Sequence, residues 1–177
     1  SLAQSLLLSH PLMNGDAFRH SVVYLSAHSQ QDGALGFILN HPLNRFLGDT
    51  QGEFAYGALA RVPLYQGGPV QPGQLMFGAL SLAQPAPLLR AGLQQSAIET
   101  IALADSPNTP ARAFLGYSGW SAGQLEGELI SDTWIVAPPD PEPFFKLEGR
   151  ELWRALVLKH APHLAYLVDA PEDVSLN

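Results

Sequence analysis

Residues 115–129 read Leu-Gly-Tyr-Ser-Gly-Trp-Ser-Ala-Gly-Gln-Leu-Glu-Gly-Glu-Leu, and this stretch joins a predicted strand to a predicted helix. The apolar run from Ala111 to Gly116 predicts the strand. Ser121-Ala122-Gly123-Gln124 is a capping box, in which the two polar side chains satisfy free N–H groups, and it predicts a helix through about Ile130. Between them, the segment from Gly116 to Trp120 is interpreted as a structural turn, with its aromatic side chains buried to anchor the helix.

The same turn has the setting of a nucleophile elbow, because a serine between a strand and a helix is often exposed on a strained bend. The elbow pattern requires glycine two positions after the serine. Here the serine is Ser118, and Trp120 occupies the position that glycine should hold. The pattern therefore disfavours a serine hydrolase.

Three polar residues follow at the start of the predicted helix, namely Gln124, Glu126 and Glu128. A carboxylate near a helix N-terminus is favoured by the helix dipole, which is a structural reason for Glu126. Helical spacing places Gln124 and Glu128 on one side of the helix and Glu126 on another. The sequence thus leaves both a structural and a functional interpretation open for these side chains.

Two glycine-rich turns suggest a place for a ligand. The helix start offers free N–H groups at Ala122 and Gly123, and helix N-termini bind anions readily. The loop Gly67-Gly68-Pro69 can add further amides in a concave nest. We therefore hypothesise that the two turns meet and bind a small anionic ligand or the carboxylate of a protein partner.

The rest of the chain alternates short strands with turn signals. Ser21 to His28 and Ala34 to Asn40 flank Gln31-Asp32-Gly33, a pattern typical of a β-hairpin. His41-Pro42 is expected to end that hairpin, and Asn44 to Ala60 to hold a short helix and a loop. Further strands are predicted at Leu6–Ser9, Pro63–Gln66, Gln74–Ser81, Leu88–Leu93 and Thr133–Ala137, and further helices at Ser96–Ala104 and Glu148–His160. This order lacks strict βαβ alternation, which favours an α+β domain with a mixed, mainly antiparallel sheet.

Composition narrows the function classes. The chain has 177 residues, of which 46% are hydrophobic and 14% charged, and it has no cysteine. One compact domain without disulfides or thiolate metal ligands is expected. No apolar run has the roughly 18 residues that would span a membrane. A signal peptide is also not recognised, so we expect a cytoplasmic protein without membrane contact.

The net charge of −7 makes direct nucleic acid binding unlikely, since such binding depends on lysine and arginine contacts to phosphates. The nearest approach to a basic stripe is Lys146, Arg150 and Arg154, which glutamates interrupt. Phosphate loops of the Walker type and of the dinucleotide-binding type are both absent. Motors driven by nucleotides and Rossmann dehydrogenases are therefore disfavoured.

The sequence gives only weak support for a metal site. His28 and Asn40 lie near the ends of the predicted hairpin strands, where Asp16, Glu126 or Glu128 could complete a ligand set. None of the six histidines stands in a H-x-x-x-H or H-x-H pattern with acidic support. We predict no metal and no cofactor, with His28 a hydrogen-bonded histidine at a strand edge.

Three stretches in this order resemble the YqgE/AlgH family: residues 21–42, the loop Gly67-Gly68-Pro69-Val70, and residues 115–129. The resemblance covers nearly the whole chain. It implies one domain over residues 1–177, with a bifurcated sheet folded into a pseudo-barrel, in a bacterial cytosolic protein. It brings the label of transcriptional regulator but no settled molecular activity. The family commonly has alanine where this chain has Ser118, and this chain has Ala27 where the family usually has an acidic residue.

The function we expect is that of a non-catalytic regulatory protein that binds a ligand or a partner. A small-molecule hydrolase is the first alternative, with His28 and either Glu126 or Glu128 as its acid and base. A transcriptional regulator acting directly on DNA is the second, and the net charge disfavours it. The candidate ligand-binding residues are His28, Asn40, Gly67, Gly68, Gly116, Tyr117, Gly119, Trp120, Gln124, Glu126 and Glu128.

Overall fold

The computed structural model describes residues 1–15, 17–50, 52–83, 87–92 and 108–170. These residues form nine strands, which we number β1 to β9: Leu6–Ser9, Val22–Ser29, Gly33–Ile38, Pro42–Phe46, Pro63–Gln66, Val70–Leu80, Leu89–Gly92, Ala111–Trp120 and Trp134–Ala137. Three α-helices follow the same numbering: α1 at Gln124–Ile130, α2 at Gly149–His160 and α3 at Ala165–Val168. Single 3-10 turns lie at Leu47–Asp49, Gly52–Phe54, Glu142–Phe145 and Pro162–Leu164.

The strands form one branched sheet, and β8 is the branch point. The main path runs β4-β5-β8-β3-β2-β1-β9, while β6 pairs with β8 and β7 pairs with β6. The first half of β8 pairs in parallel with β5, from Ala113 to Leu115, and its end pairs with β3 from Ser118 to Trp120. All other pairs are antiparallel. This confirms the α+β class and the mainly antiparallel bifurcated sheet, which curls into a half-barrel.

Alternating side chains of the central strands pack into two cores on opposite faces of the sheet. Leu6 and Leu8 belong to the main core, whereas Leu7 between them belongs to a second core. Such alternation follows from the two-residue period of a strand. The main core includes the buried face of α2, where Trp153 is fully buried and its indole Nε1 donates to the Ser9 carbonyl at 2.9 Å.

Helix α1 covers the second core. Its Leu125 is buried against Trp120 and Trp134, whose rings meet edge to face with centroids 6.0 Å apart. Phe18 adds a second edge-to-face contact to Trp134 at 5.4 Å. Such aromatic pairs contribute about 0.5–1.5 kcal/mol beyond the area they bury. Trp120 of the long motif therefore anchors the helix, as the sequence predicts, whereas Tyr117 packs against the main core instead.

The predicted turn from Gly116 to Trp120 is wrong, because these residues continue β8 and find partners in β3 and β6. The predicted capping box is only half formed. Gln124 Oε1 accepts from the Ser121 N–H at 3.0 Å, but the N-cap position is Gly123, which has no capping side chain.

Two further differences concern loops. The hairpin ends at Ile38, before His41-Pro42 as predicted, but Pro42 then begins β4, an edge strand, where the missing proline N–H is tolerated. The predicted short helix within residues 44–60 consists of the two 3-10 turns. The helix predicted from Ser96 to Ala104 lies outside the described residues.

Candidate functional site

The loop of Gly67 and Gly68 crosses β8 in close backbone contact. The Gly67 N–H donates to the Leu115 carbonyl at 2.8 Å. A Cβ atom on Gly67 would lie 2.3 Å from the Gly116 carbonyl oxygen, and one on Gly68 would lie 2.2 Å from the Tyr117 carbonyl. Real Cβ atoms do not approach so closely, so these glycines allow the chain to cross. The loop thus meets β8 at Gly116 and Tyr117, whereas a Cβ at Gly123, in the helix start that the hypothesis paired with the loop, would meet nothing within 4 Å. The Gly67 amide is used within the sheet.

Ser118 is fully buried at this crossing. Its hydroxyl donates to the Gly67 carbonyl oxygen at 3.1 Å. A buried hydroxyl with this partner has no access to a substrate, and no base lies against it. The geometry therefore gives a serine nucleophile no support.

His28 and Glu126 form the closest pair of candidate catalytic groups. His28 Nε2 lies 2.7 Å from Glu126 Oε1, and His28 Nδ1 accepts from the Leu2 N–H at 2.9 Å. Because Nδ1 accepts, the neutral ring carries its proton on Nε2 and donates it to the carboxylate. This hydrogen bond is the largest cause of a lowered pKa of Glu126, and a backbone hydrogen bond is the next largest. Both ring nitrogens are therefore occupied.

Strand register places the His28 side chain on the same face as α1. His28 lies opposite Ala34, and Ala34 lies opposite Trp120, whose ring belongs to the core under α1. Their neighbours Ala27, Leu35 and Gly119 also lie opposite one another, and by alternation they face the other side. The His28–Glu126 pair and the surface around Gly119 are thus separated by the thickness of the sheet.

An open cleft of about 560 Å³ lies on the side of Gly119, at the end of the half-barrel. Leu35 and Tyr117 line it, and both also pack against the main core. Asp32 brings a carboxylate, whose Oδ2 accepts from the Ser29 hydroxyl at 3.1 Å. We call this the β8 cleft; its lining residues are Ala27, His28, Ser29, Asp32, Gly33, Ala34, Leu35, Val70, Tyr117, Gly119 and Trp120.

Gly119 differs from Gly116, the other glycine of the motif that lies in β8. It is exposed, and a Cβ atom there would lie 3.6 Å from Tyr117 Cε2 and 3.7 Å from Val70 Cγ2. These are ordinary van der Waals distances, and both neighbours line the β8 cleft. No close backbone approach requires glycine at this position. The missing side chain instead leaves room in the cleft.

The remaining candidates lie apart from the cleft. Asn40 is buried, and its amide ties three segments together through hydrogen bonds to Val22 N, His20 O and Gly149 O at 2.8–2.9 Å. Glu128 Oε1 accepts from the indole N–H of Trp134 at 3.2 Å. Gln124 caps the start of α1. Of the predicted residues, the structure brings His28, Tyr117, Gly119 and Trp120 to the cleft lining.

Sequence reasoning missed seven residues of the cleft lining: Ala27, Ser29, Asp32, Gly33, Ala34, Leu35 and Val70. Asp32 belongs to the turn that predicts the hairpin, so its position at the hairpin tip can be predicted from the sequence. The sequence does not predict which face of the sheet Ala27 and Leu35 lie on, because a one-residue bulge shifts the register between Leu25 and Ala27.

Lys146, Arg150 and Arg154, the nearest approach to a basic stripe, do not share one helix face. Lys146 precedes α2, and Arg150 and Arg154 both reach Asp169, at 3.6 Å and 2.9 Å. Within the described residues, no three histidine or acidic side chains come together as a metal site, and Asp16 lies outside those residues. Likewise, no helix in the described part of the chain has the length and apolar character needed to cross a membrane.

Comparison with known proteins relates this geometry to a family. The family model described as AlgH-like (DUF179) matches residues 6–165. A UPF0301 protein of Thermobifida fusca is 31% identical over 100% of this chain and 96% of its own length. A UPF0301 protein of Methylococcus capsulatus is 36% identical over 88% of both chains.

Two solved structures share the fold. The solution structure of the AlgH protein from Pseudomonas aeruginosa matches with a TM-score of 0.67 and 28% identity, covering 96% of this chain and 94% of its own. A crystal structure of a protein from Corynebacterium diphtheriae matches with a TM-score of 0.71. At 20% identity over 95% of this chain and 92% of the other, it supports the fold alone.

Proposed function

Because this chain belongs to the AlgH-like family, and membership of that family does not establish a catalytic activity, we propose that it is a non-catalytic regulatory protein that binds a protein partner in the β8 cleft. The observation that carries the proposal is Gly119. Its side chain is missing where backbone geometry does not require it, and the space that remains is part of an open cleft. The cleft volume lies within the roughly 300–1,000 Å³ that is usual for small-ligand sites, so the cleft can hold a few side chains of a partner segment and not a whole protein interface.

The state of the catalytic candidates also favours binding over catalysis. Ser118 is buried and donates to a carbonyl oxygen. His28 has both ring nitrogens engaged, and its carboxylate partner Glu126 lies on the far side of the sheet from the cleft. A general base must reach the proton that it removes. His28 lines the cleft but has both ring nitrogens engaged, and Glu126 is not a lining residue. Among the described residues, the hydrolase alternative therefore finds no assembled nucleophile and base.

The cleft lining suggests the chemistry of the partner. Asp32 supplies its carboxylate, while Leu35, Val70 and Tyr117 supply apolar surface, and no lysine or arginine lines the cleft. The whole chain carries a charge of −7, which attracts cations and repels anions. A partner segment with an apolar side chain next to arginine or lysine fits this lining. A small anion, the ligand expected from the glycine-rich turns, is the alternative occupant.

A titration followed by amide NMR shifts tests the proposal with defined probes. The probes are N-acetyl-Phe-Arg-amide, N-acetyl-Phe-Glu-amide and inorganic phosphate. We expect saturable shifts at the cleft residues with the arginine peptide, and weaker shifts with the glutamate peptide. Saturable shifts with phosphate alone would favour the small anion instead. The absence of saturable shifts at the cleft with every probe would contradict a binding role for it.

A matched pair of glycine variants then separates binding from folding. Gly119→Val places a side chain in the cleft, and we expect it to abolish the shifts caused by the arginine peptide. Gly73→Val is the control, because Gly73 is also an exposed strand glycine and a Cβ there would meet nothing within 4 Å. We expect the control to bind as the unmodified protein does. Equal binding by both variants would show that the peptide occupies another surface.

A further inference from the structure

A second concave surface lies far from the β8 cleft in the chain, between the 3-10 turn Glu142–Phe145 and helix α2. It is an open groove of about 820 Å³. Phe144, in the same turn, is buried in the main core and holds the turn against the sheet. This anchoring leaves the neighbouring Phe145 at the surface, 53% exposed. We call this surface the α2 groove; its lining residues are Glu142, Pro143, Phe145, Lys146, Leu147, Ala155 and Lys159.

The groove owes its depth to a small residue on the helix. Ala155 lies on α2 beside the buried stripe that contains Leu152 and Leu156, and it is itself half-buried. A larger side chain at this position would fill the space between the helix and Phe145. The groove is therefore apolar on two sides, with Phe145 on the turn and Ala155 on the helix.

Both lysines of the chain line this groove, although the protein as a whole is acidic. The positive charge of Lys159 is already paired, because its Nζ donates to Asp140 Oδ2 at 2.8 Å. The negative charge of Glu142 also stabilises this ammonium. His160 Nε2 donates to the same Asp140 oxygen at 2.7 Å. Lys146 is exposed and makes no ion pair with any residue in the described ranges. Its ammonium is thus the charge available to a ligand.

The size of the groove indicates a small molecule. Its volume lies within the range of about 300–1,000 Å³ that is usual for small-molecule sites. A stable protein interface buries about 800 Å² on each partner. Phe145 is the large apolar side chain that is exposed on this surface, which is too little for such an interface.

We propose that the α2 groove binds a small amphipathic anion, such as a medium-chain carboxylate. The apolar body lies between Phe145 and Ala155, and the carboxylate pairs with the Lys146 ammonium. This site is independent of the β8 cleft, since the two share no lining residue.

A titration with decanoate, below its micelle concentration, tests the proposal through amide NMR shifts. We expect saturable shifts confined to residues 142–147 and 155–159. Decyltrimethylammonium has an apolar chain of the same length and the opposite charge, and we expect it to bind at least roughly threefold more weakly. Equal binding of the two probes, or unsaturable shifts spread over the surface, would overturn the proposal.

Three variants locate the binding. Ala155→Phe fills the groove and is expected to abolish the decanoate shifts, whereas Ala165→Leu, at an exposed alanine on α3 outside the groove, is expected to leave them unchanged. Lys146→Glu reverses the charge at the rim and is expected to weaken decanoate binding roughly five- to tenfold. Unchanged affinity in Ala155→Phe, with its amide spectrum still that of the folded protein, would contradict the site. Gly119→Val serves as the test of independence and should bind decanoate normally.

Discussion

Gly116 and Gly123 have nearly the same backbone conformation but very different surroundings, which makes them a matched pair for substitution. Both lie in the left-handed region, with φ of 73° and 79°. A Cβ atom on Gly116 would lie 2.4 Å from the Gly68 carbonyl oxygen, whereas one on Gly123 would meet nothing within 4 Å. Replacing each by alanine therefore adds the same backbone strain, and only Gly116→Ala adds a clash.

The magnitudes follow from these two contributions. A left-handed conformation costs an L-residue roughly 1–2 kcal/mol, which is the whole expected loss in unfolding free energy for Gly123→Ala. At Gly116 the opposing atom belongs to backbone, so the crossing of the Gly68 loop over β8 must open. Forced displacement in a packed region costs about 1–3 kcal/mol more. We expect Gly116→Ala to lose roughly 2–5 kcal/mol in total.

Urea unfolding followed by tryptophan fluorescence measures the difference. With a slope of about 2 kcal/mol/M, the midpoint should fall by roughly 0.5–1 M for Gly123→Ala and by about 1–2.5 M for Gly116→Ala. The slope should not change, because the folded state buries the same surface. Equal midpoints for the two variants would refute the reasoning, since the contact with Gly68 would then have no energetic consequence.

Two further predictions concern titratable groups. The hydrogen bond from His28 lowers the pKa of Glu126, so this carboxylate contributes stability above its unfolded pKa of about 4.3, and the contribution is lost as pH falls through the lower folded pKa. Glu126→Gln should therefore lose less stability than the unmodified protein in an acid unfolding series between about pH 5 and 2, and identical curves would contradict this. Burial raises the pKa of Tyr65, whose hydroxyl donates to Glu148 at 2.6 Å. Tyr65→Phe should cost about 1–2 kcal/mol in urea unfolding. Because the pKa of Tyr65 is raised well above the ordinary value of about 10, the variant should have the same tyrosinate absorbance as the unmodified protein at about pH 11, and a smaller absorbance would contradict the raised pKa.

Much of the fold follows from local patterns. The hairpin of β2 and β3 is predictable because apolar strands and a glycine turn lie within twenty residues of one another. Helix α2 is predictable because its buried residues Leu152, Trp153 and Leu156 recur on one side of a helix. The resemblance to the family adds what no local pattern contains, which is the branching of the sheet.

The candidate site depended far more on distant contacts. The sequence places Tyr117, Gly119 and Trp120 in one motif, but it cannot say that they are strand residues. That outcome is decided by β3 and β6, which supply hydrogen-bonding partners from far away in the chain. Gln124 and Glu128 are adjacent to these residues in the sequence, yet they are not among the residues that line the cleft.

From the sequence alone one can determine the α+β class, most strand positions, the amphipathic helix α2 and the absence of disulfides, since each depends on composition or short-range periodicity. Only the tertiary structure decides that His28 meets Glu126 across 98 positions of sequence, and that this pair lies on the opposite face of the sheet from Gly119. The physical reason is strand register. Side chains alternate between the two faces of a sheet, so a bulge or a one-residue shift in pairing changes which residues share a surface.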